Sequence, residues 1–254
     1  MKTCVAIVVL LFCASCLAQG YPESEAVAAW RGLAASYVRK ALKDQTLAKD
    51  PALNARVDAV MAAVGAAVAA IDSRFAGSKW KAILIEDFGH GAVAFPGETV
   101  LVDAKFVRTL KLNDDELALI FSHEAAHVVA GHASAKLSFM AEFLGKEKIP
   151  TARTALLEFL AKDSYAAAFQ PQARLQEREA DSLGAAIFYA AGFDSQRALG
   201  LFDKLAELEA REGGWDGHGA DTHDSARVRK QAVSAVIRDL QRLQANRATD
   251  AVVP

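Results

Sequence analysis

Residues 113–129 read Asn-Asp-Asp-Glu-Leu-Ala-Leu-Ile-Phe-Ser-His-Glu-Ala-Ala-His-Val-Val. A polar, acidic start gives way to apolar residues at helical spacing. Asn113 is the expected N-cap, and Glu116, three residues on, completes a capping box. On that helix His123 and His127 stand at i and i+4 and share a face. Their imidazoles can meet at one point, with Glu124 one residue around the rim. Neutral imidazoles suit Zn2+, and a carboxylate beside the ion can take a proton from its bound water. The spacing is that of the H-E-x-x-H arrangement.

Upstream, Trp80–Glu86 with Ile83, Leu84 and Ile85 reads as a strand. Ala92–Phe95 and Thr99–Asp103 read as two more, separated by Pro96-Gly97-Glu98, a turn sequence. Residues 23–49 and about 52–75 read as helices. The apolar stretch Met61–Ile71 lies between Asp58 and Asp72 and is too short to span a bilayer, so a packed helix is expected. From Asp114 on, the pattern is helical, with breaks expected near Gly145–Pro150, at Pro171 and at Gly213–Gly219. These elements predict an α+β, mostly helical domain with a small β-sheet next to the histidine-bearing helix. The division expected is a helical region over 21–78 and, over 79–245, a domain that carries the sheet and the histidine pair.

A catalytic zinc needs a third protein ligand. His132 is out of register for the metzincin pattern, because Ala130 and Ala133 stand where that pattern needs Gly and His. It is read as a structural, helix-end or outer-sphere group. Farther on, Glu177 and Asp181 are i and i+4 in a new helical run closed by Gly192. One carboxylate can bind the ion while the other accepts the outer N–H of a ligand histidine. Glu179 points to another side and is expected in solvent.

His123-Glu124-x-x-His127 with Glu177-x-x-Ala180-Asp181 resembles the zinc metallopeptidases of the HtpX and CAAX prenyl protease type, a gluzincin family. The chain looks most similar to their exported bacterial branch without transmembrane helices, which includes the periplasmic protease-chaperone BepA. The resemblance covers about residues 80–232 and includes Ala92–Gly97 with Val100–Val102 as strand, turn and strand. It implies a zincin-type fold holding one Zn2+ per chain. By it, His123, His127 and Glu177 are metal ligands, Glu124 is the catalytic base, and Asp181 is an outer partner. The family's Thr-His-Pro segment, with Arg six residues after the His, matches Thr222-His223 and Arg229, but Asp224 replaces the proline. His223 is then a catalytic candidate that holds the oxyanion or plugs the open zinc position, and Arg229 an outer partner. His218, in a glycine-rich loop, is read as exposed.

The implied function is a zinc metalloendopeptidase of cell-envelope protein quality control, acting on peptides or unfolded proteins, outer-membrane clients among them. A peptide would add as an extra strand along the 92–95 or the 100–103 edge. The alternative is a chaperone-like client-binding module with a latent zinc site, its apolar surface drawn from Lys136–Gln170.

The chain has 254 residues, enough for one domain with a full core. Lys and Arg number 29 against 31 acidic residues, so no basic excess suggests nucleic acid. Lys2, the apolar run Val5–Phe12 and the small residues after it read as a signal peptide over 1–18. Cleavage after Ala18 predicts soluble export to a periplasm. A lipobox reading of Ala14-Ser15-Cys16 would instead leave a lipid anchor at Cys16. Either exit leaves no transmembrane helix in the mature chain. All three cysteines (Cys4, Cys13 and Cys16) lie in this segment, which excludes cysteine-ligated zinc and thiolate catalysis in the mature chain.

Overall fold

The computed structural model describes residues 20–212 and 222–250. Residues 1–18, read above as a signal peptide and including Cys16, and His218 lie outside the described residues. The expected α+β class holds: helices dominate and surround one three-stranded sheet.

The sheet comprises β1 (Lys81–Ile85), β2 (Ala92–Phe95) and β3 (Thr99–Asp103), in the order β1-β3-β2. β3 runs parallel to β1 and antiparallel to β2. The β2–β3 turn needs left-handed backbone at Gly97 (φ 95) and Glu98 (φ 57), which the glycine accepts without strain. β3 is therefore central and paired on both sides, which corrects the expectation that 100–103 could serve as an edge. Only β2, of the two strands considered, keeps an outer edge. Strand order is a long-range choice that periodicity within one strand cannot report.

Two cores lie on opposite faces of the sheet. Val100 and Val102 of β3 face one, and Leu101 between them faces the other, as strand alternation requires. The first core takes in α2 (Pro51–Ile71), α3 (Ala104–Thr109), α4 (Asp114–Val129) and the C-terminal half of α7 (Asp163–Ala191). Side chains of α8 (Ser195–Ala198), α9 (Gly200–Glu212) and α10 (Ala226–Asp250) join it. The second gathers α1 (Glu23–Lys43), α5 (His132–Leu144), α6 (Ala152–Ala161) and the N-terminal half of α7. Helix α2 is long and apolar enough to cross a bilayer. Here its Leu53, Val57, Val60, Met61, Val64, Ala67 and Val68 are buried in the first core.

The expected break at Pro171 does not occur. α7 runs unbroken for 29 residues through it. An interior proline costs about 3 kcal/mol, but buried residues on both sides of it, Phe169 and Ala180 among them, hold the two halves in place. Tertiary packing overrides the local preference. The breaks at Gly145 and Gly192 occur as expected, Gly192 in the left-handed conformation at the end of α7.

Candidate metal centre

Helix α4 places the first two functional side chains, and its N-terminus is anchored from several directions. Asn113 accepts from the Glu116 N–H at 2.9 Å, and Glu116 accepts from the Asn113 N–H at 2.8 Å, as the expected capping box requires. The buried Glu116 carboxylate also meets Lys204 Nζ at 2.6 Å. Asp115 accepts from the Asp194 N–H at 2.9 Å and pairs with Arg197 at 3.2 Å. Three acidic groups in the first turn also suit the positive end of the helix dipole.

Helix α7 crosses α4 at Gly184. A Cβ there would stand 2.9 Å from His123 Cα and 3.0 Å from its nitrogen. No other residue allows the two backbones this close. Gly184 lies seven residues after Glu177 and three after Asp181, on the same helix face. The glycine thereby lets both carboxylates reach the histidines. Hydrophobic periodicity does not single out Gly184, although its spacing from Glu177 and Asp181 is a usable signal.

At the crossing three ligand atoms converge. His123 Nε2 lies 3.1 Å from His127 Nε2 and 3.2 Å from Glu177 Oε2. His127 Nε2 lies 3.4 Å from Glu177 Oε2. Bonds of about 2.0–2.1 Å to a tetrahedral zinc place its ligand atoms about 3.3 Å apart, so the triangle has the size of one face of such a site. Glu177 Oε2 is buried, yet no donor is aligned to hydrogen-bond with it. A buried anion surrounded by ring nitrogens and lacking an aligned donor fits a shared cation. Among the described residues this is the one group of three side chains able to hold a metal.

Asp181 meets the outer side of His123. Its Oδ1 accepts from His123 Nδ1–H at 3.0 Å, which leaves the His123 Nε2 lone pair facing the triangle. Arg229 holds both Asp181 oxygens, at 2.8 and 2.9 Å. Glu124 Oε2 accepts from the Ala94 N–H of β2 at 2.8 Å, which fixes the carboxylate between the sheet edge and the triangle. His223 Nε2 stands 2.8 Å from Glu177 Oε2. Where the family pattern has proline, Asp224 pairs with Arg178 of α7 at 2.8 and 3.2 Å, and this pair ties the segment down.

His132 is buried and its Nδ1 lies 2.8 Å from His127 Nδ1. Glu179 was expected in solvent. Its side chain is 59% exposed, yet Oε2 reaches His132 Nε2 at 3.3 Å. Helix α5 starts straight after Gly131, whose left-handed φ of 71 turns the chain back and brings His132 beside His127. That reversal is not visible in helical periodicity.

The titrating groups respond to this crowding. Burial pulls the His123 imidazole down, but hydrogen bonding to Asp181 and proximity to Glu177 outweigh it and raise its pKa. Burial lowers His127. Burial, with His127 alongside, pushes His132 down to about 4. Burial raises the Glu124 carboxyl. For Glu177 burial acts upward, yet the three surrounding imidazoles hold it well below the carboxylate range. Asp181 is likewise held low against burial by His123 and Arg229.

The profile of peptidase family M48 matches residues 51–237. The chain belongs to peptidase family M48. Three curated relatives are also similar, each a mitochondrial metalloendopeptidase OMA1. The protein of Schizosaccharomyces pombe is 27% identical over 175 residues, 64% of this chain and 48% of its own length. That of Saccharomyces cerevisiae is 26% identical over 52% of this chain and 39% of its own length. The Arabidopsis thaliana protein is 26% identical over 65% and 33%. The chain thus spans less than half the length of the relatives it matches.

The M48 match and these relatives correct two expectations. The relatives are OMA1 proteins, not the exported branch that includes BepA. The expected exported, periplasmic location is overturned, since these relatives are mitochondrial by name. An apolar leader reports hydrophobicity, not the membrane that receives it, so residues 1–18 could not carry that distinction. Nothing supports outer-membrane clients or a lipid anchor at Cys16.

Proposed function

We propose that this M48 family member is a zinc-dependent metalloendopeptidase. His123, His127 and Glu177 bind the ion, Glu124 is the general base, Asp181 and Arg229 orient His123, and His223 faces the developing oxyanion. The observation that carries this reading is the ligand triangle, with edges of 3.1, 3.2 and 3.4 Å, beside the Glu124 carboxylate. The name metalloendopeptidase borne by the relatives agrees with it.

When bound, zinc supplies a Lewis acid that lowers the pKa of a coordinated water towards about 7 and polarises the scissile carbonyl. The peptide adds along the outer edge of β2, where strand pairing satisfies its backbone. Ala94 N–H keeps Glu124 at that edge, so its free oxygen can take the proton of the attacking water. Glu124 then delivers that proton to the leaving amine. His223 Nε2, 2.8 Å from Glu177 Oε2, is close enough to the metal position to donate to charge developing on the carbonyl oxygen.

The test is Glu124→Gln. It should keep stoichiometric zinc by elemental analysis and lose about 100- to 10,000-fold in cleavage of unfolded casein. Cleavage at the parent rate would sink Glu124 as the base. The pH profile adds a second check. A base acts only when deprotonated, so activity should fall as acid protonates Glu124, whose carboxyl burial pushes upward and a bound cation pulls down. An acid limb that survives unchanged in Glu124→Gln contradicts the assignment.

One observation favours the client-binding alternative. Phe143, Leu157, Leu160 and Leu175, on α5, α6 and α7, are each at least half exposed. If Glu124→Gln suppresses client aggregation as well as the parent does, that surface acts without the chemistry.

A further inference from the structure

We infer that His132 and Glu179 form a hydrogen-bonded relay that locks His127 into its metal-binding tautomer, making His132 a positioning residue. The inference rests on the proposed metal reading and deepens it. To bind a cation through Nε2, a neutral His127 must carry its proton on Nδ1. His132 Nδ1 lies 2.8 Å from that nitrogen. It can accept the proton's hydrogen bond only if the proton of His132 sits on its own Nε2. That atom faces Glu179 Oε2 at 3.3 Å, and a carboxylate only accepts. Each donor along Glu179, His132 and His127 then meets an acceptor, and the His127 Nε2 lone pair is left for the metal.

The chain has the same logic as the Arg229, Asp181 and His123 arrangement on the other ligand. There, however, the outer partner is a buried carboxylate. Here it is a buried imidazole whose own tautomer is set by a carboxylate at the surface. Both histidine ligands therefore have their outer nitrogen fixed, and the second is fixed through a histidine that supplies no ligand itself.

The experiment measures Zn2+ affinity by competition with a chromophoric chelator. It compares the parent with His132→Leu, His132→Asn and Glu179→Ala, alongside thermal midpoints in EDTA. His132→Leu should bind Zn2+ about 10- to 100-fold more weakly, the usual cost of losing an outer partner. His132→Asn keeps an acceptor oxygen near the Nδ1 position and should recover most of the loss. Glu179→Ala should weaken binding about two- to fivefold, because its side chain is largely in solvent. Parent affinity in His132→Leu overturns the relay, and so does equal weakness of the Leu and Asn variants. Should His132→Leu fail to fold in EDTA, parent affinity in Glu179→Ala overturns it instead. A parent protein that binds no Zn2+ removes the metal reading itself, and that outcome is distinct from all of these.

Discussion

The C-terminal half of α7 brings Glu177, Asp181 and Gly184 against α4, whereas the N-terminal half carries Tyr165 and Phe169 into a cluster of rings. In the first, His123 and Arg229 hold Asp181, and the backbones touch through a glycine. In the second, Phe169 packs on Phe139 and Phe159, and Phe143 packs on Tyr165. The ammonium of Lys136 lies 5.1–5.7 Å from the ring centres of Trp30, Phe159 and Phe169. One continuous helix thus serves two kinds of packing. Fixed distances between unlike groups govern the site half, and apolar area governs the other. Damage should therefore separate along α7: metal capture on one side of Pro171, stability on the other.

The largest expected effect is Glu177→Gln. It should weaken Zn2+ binding by more than about 100-fold, beyond the loss of any outer partner, as read by chelator competition. Retained stoichiometric zinc would break the contrast between the halves. Next is Phe169→Ala, at 2% exposure, which should cost about 3–5 kcal/mol in urea unfolding and leave zinc affinity in the folded protein unchanged. Loss of zinc affinity in step with stability would show that the two halves do not separate.

Gly184→Ala should cost about 1–3 kcal/mol and also weaken zinc binding, because backbone atoms of His123 cannot move aside freely. Unchanged stability and affinity together would mean that the helix crossing is not tight. Smallest is Leu175→Ser, at 62% exposure, which should shift stability by no more than about 0.5 kcal/mol. A larger loss would place Leu175 in an interface.

Much of the site was legible along the chain because its members repeat at helical spacing. His123, Glu124 and His127 sit within one turn of a helix whose cap, Asn113 with Glu116, is also local. Glu177 and Asp181 share a face for the same reason, but their spacing left open which of them reaches the metal position. The crossing at Gly184 turns Glu177 towards both Nε2 atoms and Asp181 towards the outer nitrogen of His123. Helical spacing on α7 alone turns Glu179 away from Glu177 and towards solvent. Its partner His132 arrives from another helix after the reversal at Gly131.

From the sequence alone came the mostly helical α+β class, the three strands, the capped helix with paired imidazoles, and the carboxylate pair on a second helix. All of these rest on periods of two or 3.6 residues, which a single element expresses by itself. Tertiary structure alone decided that β3 is central, that α7 continues through Pro171, and that His132 backs His127. Those outcomes depend on contacts between segments tens of residues apart, where packing free energy outweighs any local preference.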